Sequence, residues 1–235
     1  MGLRCKRCGS EEQSKNGFMR GKQRYRCKAC GLNFTDTPPR GMPFQVKVLA
    51  VLLYVSGLSM NRTAKLLGVS TPSVMHWIEQ FAKEHAPKPT PEGRALVVEL
   101  DEMWHYLKKK TDKLWIWKAW DRASGQLVDW ECGGRDRATL DRLLARVRQG
   151  WNPRLYCTDD WAVYPSAIPQ GKLYVGKEQT HGIERDNARQ RHWLARFRRR
   201  SIVVSKAERM VEASIALFAR FGGNDKIRDL VSMLA

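Results

Sequence analysis

The chain has 235 residues, enough for one large domain or a medium domain with small additions. Its 42 Lys and Arg against 24 Asp and Glu give a formal net charge of +18. That balance excludes an ordinary enzyme of small neutral metabolites and points to a polyanionic partner, because each phosphate neutralised by Lys or Arg releases condensed counterions. The longest apolar segment, Val46 to Val55, is interrupted by Lys47 and falls short of the roughly 20 residues that cross a bilayer. With no signal-peptide core at the N-terminus, no membrane partner and a cytoplasmic location are expected.

Residues 1–40 hold ten Lys or Arg, three acids and four of the six cysteines. Cys5-x2-Cys8 and Cys27-x2-Cys30 are separated by 18 residues, the spacing of two knuckles that place four thiolates about one structural Zn²⁺. Gly9 and Gly31 follow the two pairs, where a tight knuckle needs a permissive backbone. The segment therefore reads as a zinc ribbon that depends on metal to fold, ending at Pro38-Pro39. Cys132 and Cys157, alone in apolar runs, read as small buried hydrophobes.

Residues 43–86 read as a helix-turn-helix domain. A first helix runs from Phe44 to Ser56 and ends at Gly57, and a second runs from Met60 to Leu67. Gly68-Val69-Ser70 is the turn, and Pro72 sits near the start of a third helix, where its missing N–H costs nothing. Thr71, Ser73, Met75 and His76, near the N-terminal end of that recognition helix, are the candidates for base contacts. His76 and His85 are each lone and read as surface residues. Pro87, Pro89, Pro91 and Gly93 make residues 87–94 a linker.

Residues 95–235 form the third segment. Strands are expected over Leu96 to Tyr106, Lys113 to Trp120 and Gln126 to Glu131, joined by hairpin turns. A helix from about Arg137 to Gln149 follows, then strands Arg154 to Thr158 and Lys172 to Val175. A basic helix, Ile183 to Arg199, and an amphipathic helix, about Lys206 to Phe221, complete the pattern. Three antiparallel strands, a helix and two further strands is the order of the ribonuclease-H-like fold, a mixed five-stranded sheet with flanking helices. The whole chain is thus multidomain α+β.

In that fold the first and fourth strands are neighbours, which brings Asp101 beside Asp159 across 57 intervening residues. Glu184 opens the basic helix, so the three acids can gather as oxygen ligands for Mg²⁺, a hard ion that takes few protein carboxylates. Two such ions about 3.5–4 Å apart can serve both oxygens of a phosphoryl displacement. Asp159 and Asp160 are adjacent, and alternation lets only one face Asp101. Glu99, Glu102 and Asp121 read as core-edge structural acids, Glu99 on the face of Asp101. From Arg185 to Arg200 there are seven arginines and one aspartate. Arginine suits phosphate recognition, so Arg185, Arg191, Arg198, Arg199 and Arg200, with Asn187 on the side of Glu184, are candidate DNA contacts.

The chain resembles the bacterial insertion sequence one (IS-one) family of DDE transposases. The resemblance runs through Val98-Glu99-Leu100-Asp101-Glu102-Met103-Trp104, Ala119-Trp120-Asp121-Arg122 and Thr158-Asp159-Asp160-Trp161-x2-Tyr164. It continues in Thr180-x2-Ile183-Glu184-Arg185-x-Asn187, Arg191 and Leu194-Ala195-Arg196. It implies that Asp101, Asp159 and Glu184 are catalytic and hold two Mg²⁺ ions, replaceable by Mn²⁺. It also implies that the protein binds terminal inverted repeats and target DNA as a homo-oligomer at the bacterial nucleoid, cutting and joining strands. The chain departs from the family at Asp160, where a small residue is common, and at Asp186, where the family places histidine. Two other functions fit parts of the pattern: a sequence-specific DNA-binding regulator with a non-catalytic oligomerisation domain, and a ribonuclease-H-like structure-selective nuclease.

Overall fold

The computed structural model describes residues 3–37, 41–91, 95–199, 202–223 and 225–235, so Pro38, Pro39, Gly93 and Arg200 lie outside the described residues. The chain divides into two compact units, Met1–Pro43 and Phe44–Ala235.

In the first unit, β1 (Gln13–Met19), β2 (Lys22–Cys27) and β3 (Asn33–Thr35) form an antiparallel sheet in that order. Arg20 and Gly21 both take positive φ, the geometry that lets a two-residue turn match the twist of a hairpin. The two cysteine knuckles repeat one hydrogen-bond pattern. Cys5 N–H donates to Ser10 O and Gly9 N–H to Cys5 O; Cys27 N–H donates to Leu32 O and Gly31 N–H to Cys27 O. Gly9 and Gly31 hold φ near +70° (73° and 71°), as that knuckle requires. The apolar centre is only Cys5, Cys27 and Phe34, with Leu3, Tyr25 and Leu32 against them. So small a core cannot hold the ribbon without a further cross-link.

The second unit opens with α1 (Phe44–Val55), α2 (Met60–Leu67) and α3 (Thr71–His85). Ser59 and Ser70 cap α2 and α3 through their hydroxyls, and Gly68 ends α2 in the left-handed region. The five-stranded sheet follows: β4 (Val97–Tyr106), β5 (Lys113–Asp121), β6 (Gln126–Gly133), β7 (Leu155–Thr158) and β8 (Leu173–Val175), in the order β6-β5-β4-β7-β8. β4 to β6 are antiparallel, and β4, β7 and β8 run parallel. This is the ribonuclease-H-like arrangement. The helices are α4 (Arg137–Trp151), α5 (Val163–Ala167), α6 (His181–Trp193), α7 (Glu208–Phe221) and α8 (Ile227–Ser232).

Alternation along β4 divides the interior in two. Val98 and Leu100 face a core with Leu140, Leu143, Leu144 and Val147 of α4 and with Tyr164 of α5. Met103 faces the opposite core, which contains Ile183 of α6, much of α7, and Val51, Ile78 and Phe81 from the first three helices. The helix-turn-helix is therefore built onto this half of the sheet rather than held apart from it. Tyr54 Oη lies 2.6 Å from Ser214 Oγ in that interface, and Arg209 pairs with Glu79 at 3.3 Å. The proline segment behind α3 is tied to β6, where Lys88 Nζ reaches Asp129 at 2.8 Å.

One element departs from expectation. The basic helix ends at Trp193, not Arg199. Leu194 turns extended (φ −99°, ψ 110°), and a single helical turn, Ala195–Phe197, follows. The bend buries Leu194 and Phe197 together with Arg196, whose guanidinium donates to Tyr54 Oη (3.1 Å) and Ser205 Oγ (2.8 Å). Packing here overrides helix propensity. Among the described residues no helix is long and apolar enough to cross a membrane.

Candidate active site

The parallel pairing of β4 with β7 matches Val97 to Leu155, Val98 to Tyr156 and Glu99 to Cys157. Two residues further along each chain stand Asp101 and Asp159, so the register directs both to the same face of neighbouring strands, which lie about 4.8 Å apart. Asp159 Oδ1 accepts from the Trp161 N–H at 3.2 Å, which fixes its side chain at the strand end, while Asp160 is exposed. Asp101 is pushed up to about 6, by burial first and then by the Glu102 carboxylate, with Asp159 adding to the effect. Lys118 opposes that shift, and a divalent cation held there would oppose it further. Glu184 lies in the first turn of α6, the helix packed over β4 and β5. Its Oε1 accepts from Thr180 Oγ1 at 3.1 Å. Among the described residues only the four cysteines form a ligand group within 4.8 Å of one another, so the three carboxylates are not gathered that closely.

Two acids that sequence reasoning left at the core edge prove to be supports. Glu99 Oε2 accepts the Ile183 N–H at 2.9 Å, capping α6 from the sheet where Thr180 supplies no side-chain cap. Its other oxygen accepts from Arg122 Nε at 3.0 Å, and Arg122 also holds Gln179 just before the helix. Gly182 permits this close docking: a Cβ there would meet Trp120 Nε1 at 2.5 Å and Glu99 Oε2 at 2.9 Å. On the opposite face Glu102 accepts from Tyr164 Oη at 2.8 Å and from Arg135 at 2.6 Å. The Arg135 guanidinium lies over Trp115 and Trp161, 4.6 and 4.2 Å from the ring centroids. Trp161 lies in the short loop after Asp159 and Tyr164 in α5 directly beyond it, so this cluster anchors the segment that leaves that aspartate.

A third set was missed. Lys118 on β5 is the cross-strand partner of Asp101 and is wholly buried, at 0 % exposure. Its Nζ donates to Asn187 Oδ1 at 2.7 Å and lies 3.3 Å from Asp186 Oδ2. Burial lowers the Lys118 pKa, opposed by the Asp186 carboxylate. Asn187 Nδ2 in turn donates to Asp101 Oδ2 at 2.6 Å. Asn187, expected to face phosphate, thus turns inward and binds the aspartate itself. The signal available in sequence was a lone lysine inside the apolar strand Leu114 to Trp120.

In the ribbon, Cys5 Sγ and Cys30 Sγ lie 3.5 Å apart, and Cys8 Sγ and Cys27 Sγ 3.6 Å. Tetrahedral Zn–S bonds of about 2.3 Å place sulfurs about 3.8 Å apart, so the four fit zinc. On α3, His76 is exposed. Ser73 pairs its hydroxyl with Ser70, and Thr71 and Met75 line a cleft of about 690 Å³ with Arg62, Lys65 and Lys206. Arg185 and Arg199 are exposed, Arg191 is half-buried, and Arg198 donates to Gly57 O at 3.2 Å.

Residues 95–221 match the family described as IS1 transposase. The InsB protein of insertion element iso-IS1n from Shigella dysenteriae is 32 % identical over 124 residues, 53 % of this chain and 94 % of that protein. The insertion element IS1 InsB protein of Shigella flexneri is 38 % identical over 110 residues, 46 % of this chain and 82 % of that protein. Among solved structures, the catalytic core of BIV integrase aligns with a TM-score of 0.38 at 13 % identity, covering 59 % of this chain and 95 % of that one. The simian T-cell lymphotropic virus intasome aligns at 0.41 and 14 % identity, covering 71 % and 66 %. With more than half its length matched by the family and strand order, register and acids arranged as described, the chain belongs to the IS1 transposase family.

Proposed function

We propose that this transposase binds the terminal inverted repeats of its insertion sequence and cuts and joins DNA strands at Asp101, Asp159 and Glu184. The observation that supports this reading is the β4–β7 register, which continued by two residues puts Asp101 and Asp159 on one face of neighbouring strands, with Asp159 adding to the upward push on Asp101. The residues fit Mg²⁺ or Mn²⁺: Asp101 within β4 and Asp159 just past the end of β7 offer oxygens, and Glu184 would join them by releasing Thr180. Bound there, two such ions would lower the pKa of water and neutralise charge on the phosphate oxygens. Asn187 holds Asp101 in a fixed orientation, and Arg191, half-buried and within electrostatic reach of Asp101, is placed to hold a phosphate. Water attacks phosphorus and the strand's 3′-oxygen leaves; in joining, that 3′-hydroxyl attacks target DNA and the target's own 3′-oxygen leaves. Both steps need the same charge stabilisation, so one site serves both.

In this reading residues 1–40 hold one structural zinc through Cys5, Cys8, Cys27 and Cys30, and residues 43–86 read DNA sequence. His76, Ser73, Thr71 and Met75 are the base-contact candidates, with His76 the best exposed, and Arg185, Arg198, Arg199 and Arg200 contact phosphates. A homo-oligomer pairs the two element ends in the nucleoid.

The test is cleavage of a labelled element end in Mg²⁺ beside gel-shift binding of the same end. Asp101→Asn, Asp159→Asn and Glu184→Gln should each abolish cleavage and joining together while binding survives, and Asp160→Asn should stay active. Full activity in Glu184→Gln would overturn the three-carboxylate site. Sequence-specific binding without cleavage by the parent protein would make it a regulator, and cleavage indifferent to duplex sequence a structure-selective nuclease.

A further inference from the structure

Lys118 raises a question that the three carboxylates do not answer. A lysine in the middle of a sheet, with no exposed surface, is costly unless something demands its charge. Its two contacts are consecutive residues of α6, Asp186 and Asn187. Asp186 Oδ2 is held in addition by Gln190 Nε2 at 2.8 Å, so the carboxylate is fixed from its own helix. The chain of contacts Asp186–Lys118–Asn187–Asp101 crosses from helix to strand and back, and ends on a carboxylate of the cation site.

We propose that Lys118 and Asp186 form a buried positioning pair that sets the orientation of Asp101, and hence the affinity of the site for its divalent cation, without touching cation or DNA. This rests on the reading of Asp101 as a cation ligand. Direction of hydrogen bonding is the first argument. An ammonium has donors and no acceptor, so it can bind only the oxygen of the Asn187 amide. With Oδ1 taken, Nδ2 is the atom left for Asp101, and the amide cannot flip. A neutral side chain that both donates and accepts at position 118 would allow either orientation, and one of them would turn an oxygen toward the Asp101 carboxylate. Charge is the second argument. An unpaired ammonium across the strand from Asp101 would repel an incoming cation. Asp186 cancels that charge, so the pair keeps the donor and removes the repulsion. Partners in the outer shell of a metal site orient ligands in this way elsewhere.

The test uses the full-length, zinc-loaded protein, Mn²⁺ binding followed by electron paramagnetic resonance, and the Mg²⁺ dependence of cleavage. The double variant Lys118→Met with Asp186→Leu replaces the pair by apolar groups of similar size, which buried ion pairs commonly tolerate. It should unfold near the parent temperature and bind DNA as the parent does, yet bind Mn²⁺ about tenfold to a hundredfold more weakly. Cleavage should recover in part at high Mg²⁺, a shift in cation dependence that loss of stability alone would not produce. Should the double variant not fold, Asp186→Asn keeps an acceptor for Lys118 while leaving its charge uncancelled, and it too should weaken Mn²⁺ binding. Parent-like Mn²⁺ affinity in whichever variant folds overturns the proposal. Asp101→Asn is the reference: if it alone leaves Mn²⁺ affinity unchanged, the assignment of Asp101 as a ligand fails; if it abolishes binding while the pair variants do not affect it, only the positioning role fails.

Discussion

Replacing Asp101 by Asn should make the protein more stable as long as no divalent cation is bound. Burial first, and then the Glu102 and Asp159 carboxylates, raise the Asp101 pKa from the ordinary 3.8 to about 6. A carboxylate raised in the folded state favours folding while protonated, below its unfolded pKa, and that contribution is lost as pH rises through the folded value. The parent therefore carries a penalty that grows from about pH 3.8 and, at about 1.36 kcal/mol per pH unit, levels off at about 3 kcal/mol above pH 6. Asn keeps the size of the side chain and an oxygen to accept from Asn187, but has no charge to desolvate. Urea unfolding in Mg²⁺-free buffer, with zinc retained, should show the Asn variant more stable by up to about 3 kcal/mol near pH 8, a difference that shrinks below about pH 6 and vanishes only below about pH 3.8. Saturating Mg²⁺ should reverse the order, because the parent alone gains binding free energy, about 4.1 kcal/mol at a thousand times Kd. An Asn variant less stable than the parent near pH 8 without Mg²⁺ would refute the electrostatic account of this site.

Gly182→Ala should disturb catalysis through α6. The added Cβ meets Trp120 and Glu99, so the helix start must move. We expect a loss of about 1–3 kcal/mol in urea unfolding and a fall in cleavage of up to about 100-fold as Glu184 shifts; parent values in both assays would show that the close docking is irrelevant. Cys27→Ser should lose the single zinc found by elemental analysis and unfold the ribbon, while the thermal transition of residues 44–235 stays in place. A folded, zinc-free ribbon would remove the metal from the account.

Sequence alone carried the strand order and the three acids, because hairpin turns and apolar runs are local signals. Asp101 and Asp159 lie at the ends of such runs, and knowing the fold supplied their adjacency. The end of α6 was not legible. Nothing local to Leu194 says that Phe197 and Arg196 must turn inward to meet Tyr54, 142 residues away in sequence. The pair of Lys118 with Asp186 spans 68 residues and two kinds of element, so neither residue alone announces it. The strands of the ribbon and helix α8 were also unmarked: both are short, and β1 and β2 bury almost nothing to set a period. The inward turn of Asn187 illustrates a general limit. Helical spacing placed it correctly beside Glu184, but spacing does not distinguish a residue that faces a ligand from one that holds the ligand's ligand.

Strand β4 explains why the site can be accurate before any cation arrives. Within four residues it presents Glu99, Asp101 and Glu102, and each governs a different part of the centre. Asp101 is itself a proposed oxygen ligand. Glu99, on the same face, caps α6 and so fixes the turn that carries Glu184. Glu102, on the opposite face, binds Tyr164 and Arg135 and so fixes the loop that follows Asp159. All three candidate ligands are therefore referenced to one central strand, paired on both sides, rather than to one another through flexible loops. A slip of one residue in the pairing of β4 would send Asp101 to the α4 core and Glu102 to the cation face, and with them both supports. The apolar alternation of Val98, Leu100 and Met103 between two separate cores forbids that slip. The packing that stabilises the sheet is thus also what sets the geometry of the chemistry, and changes that weaken either core near β4 should be felt at the site before they are felt as unfolding.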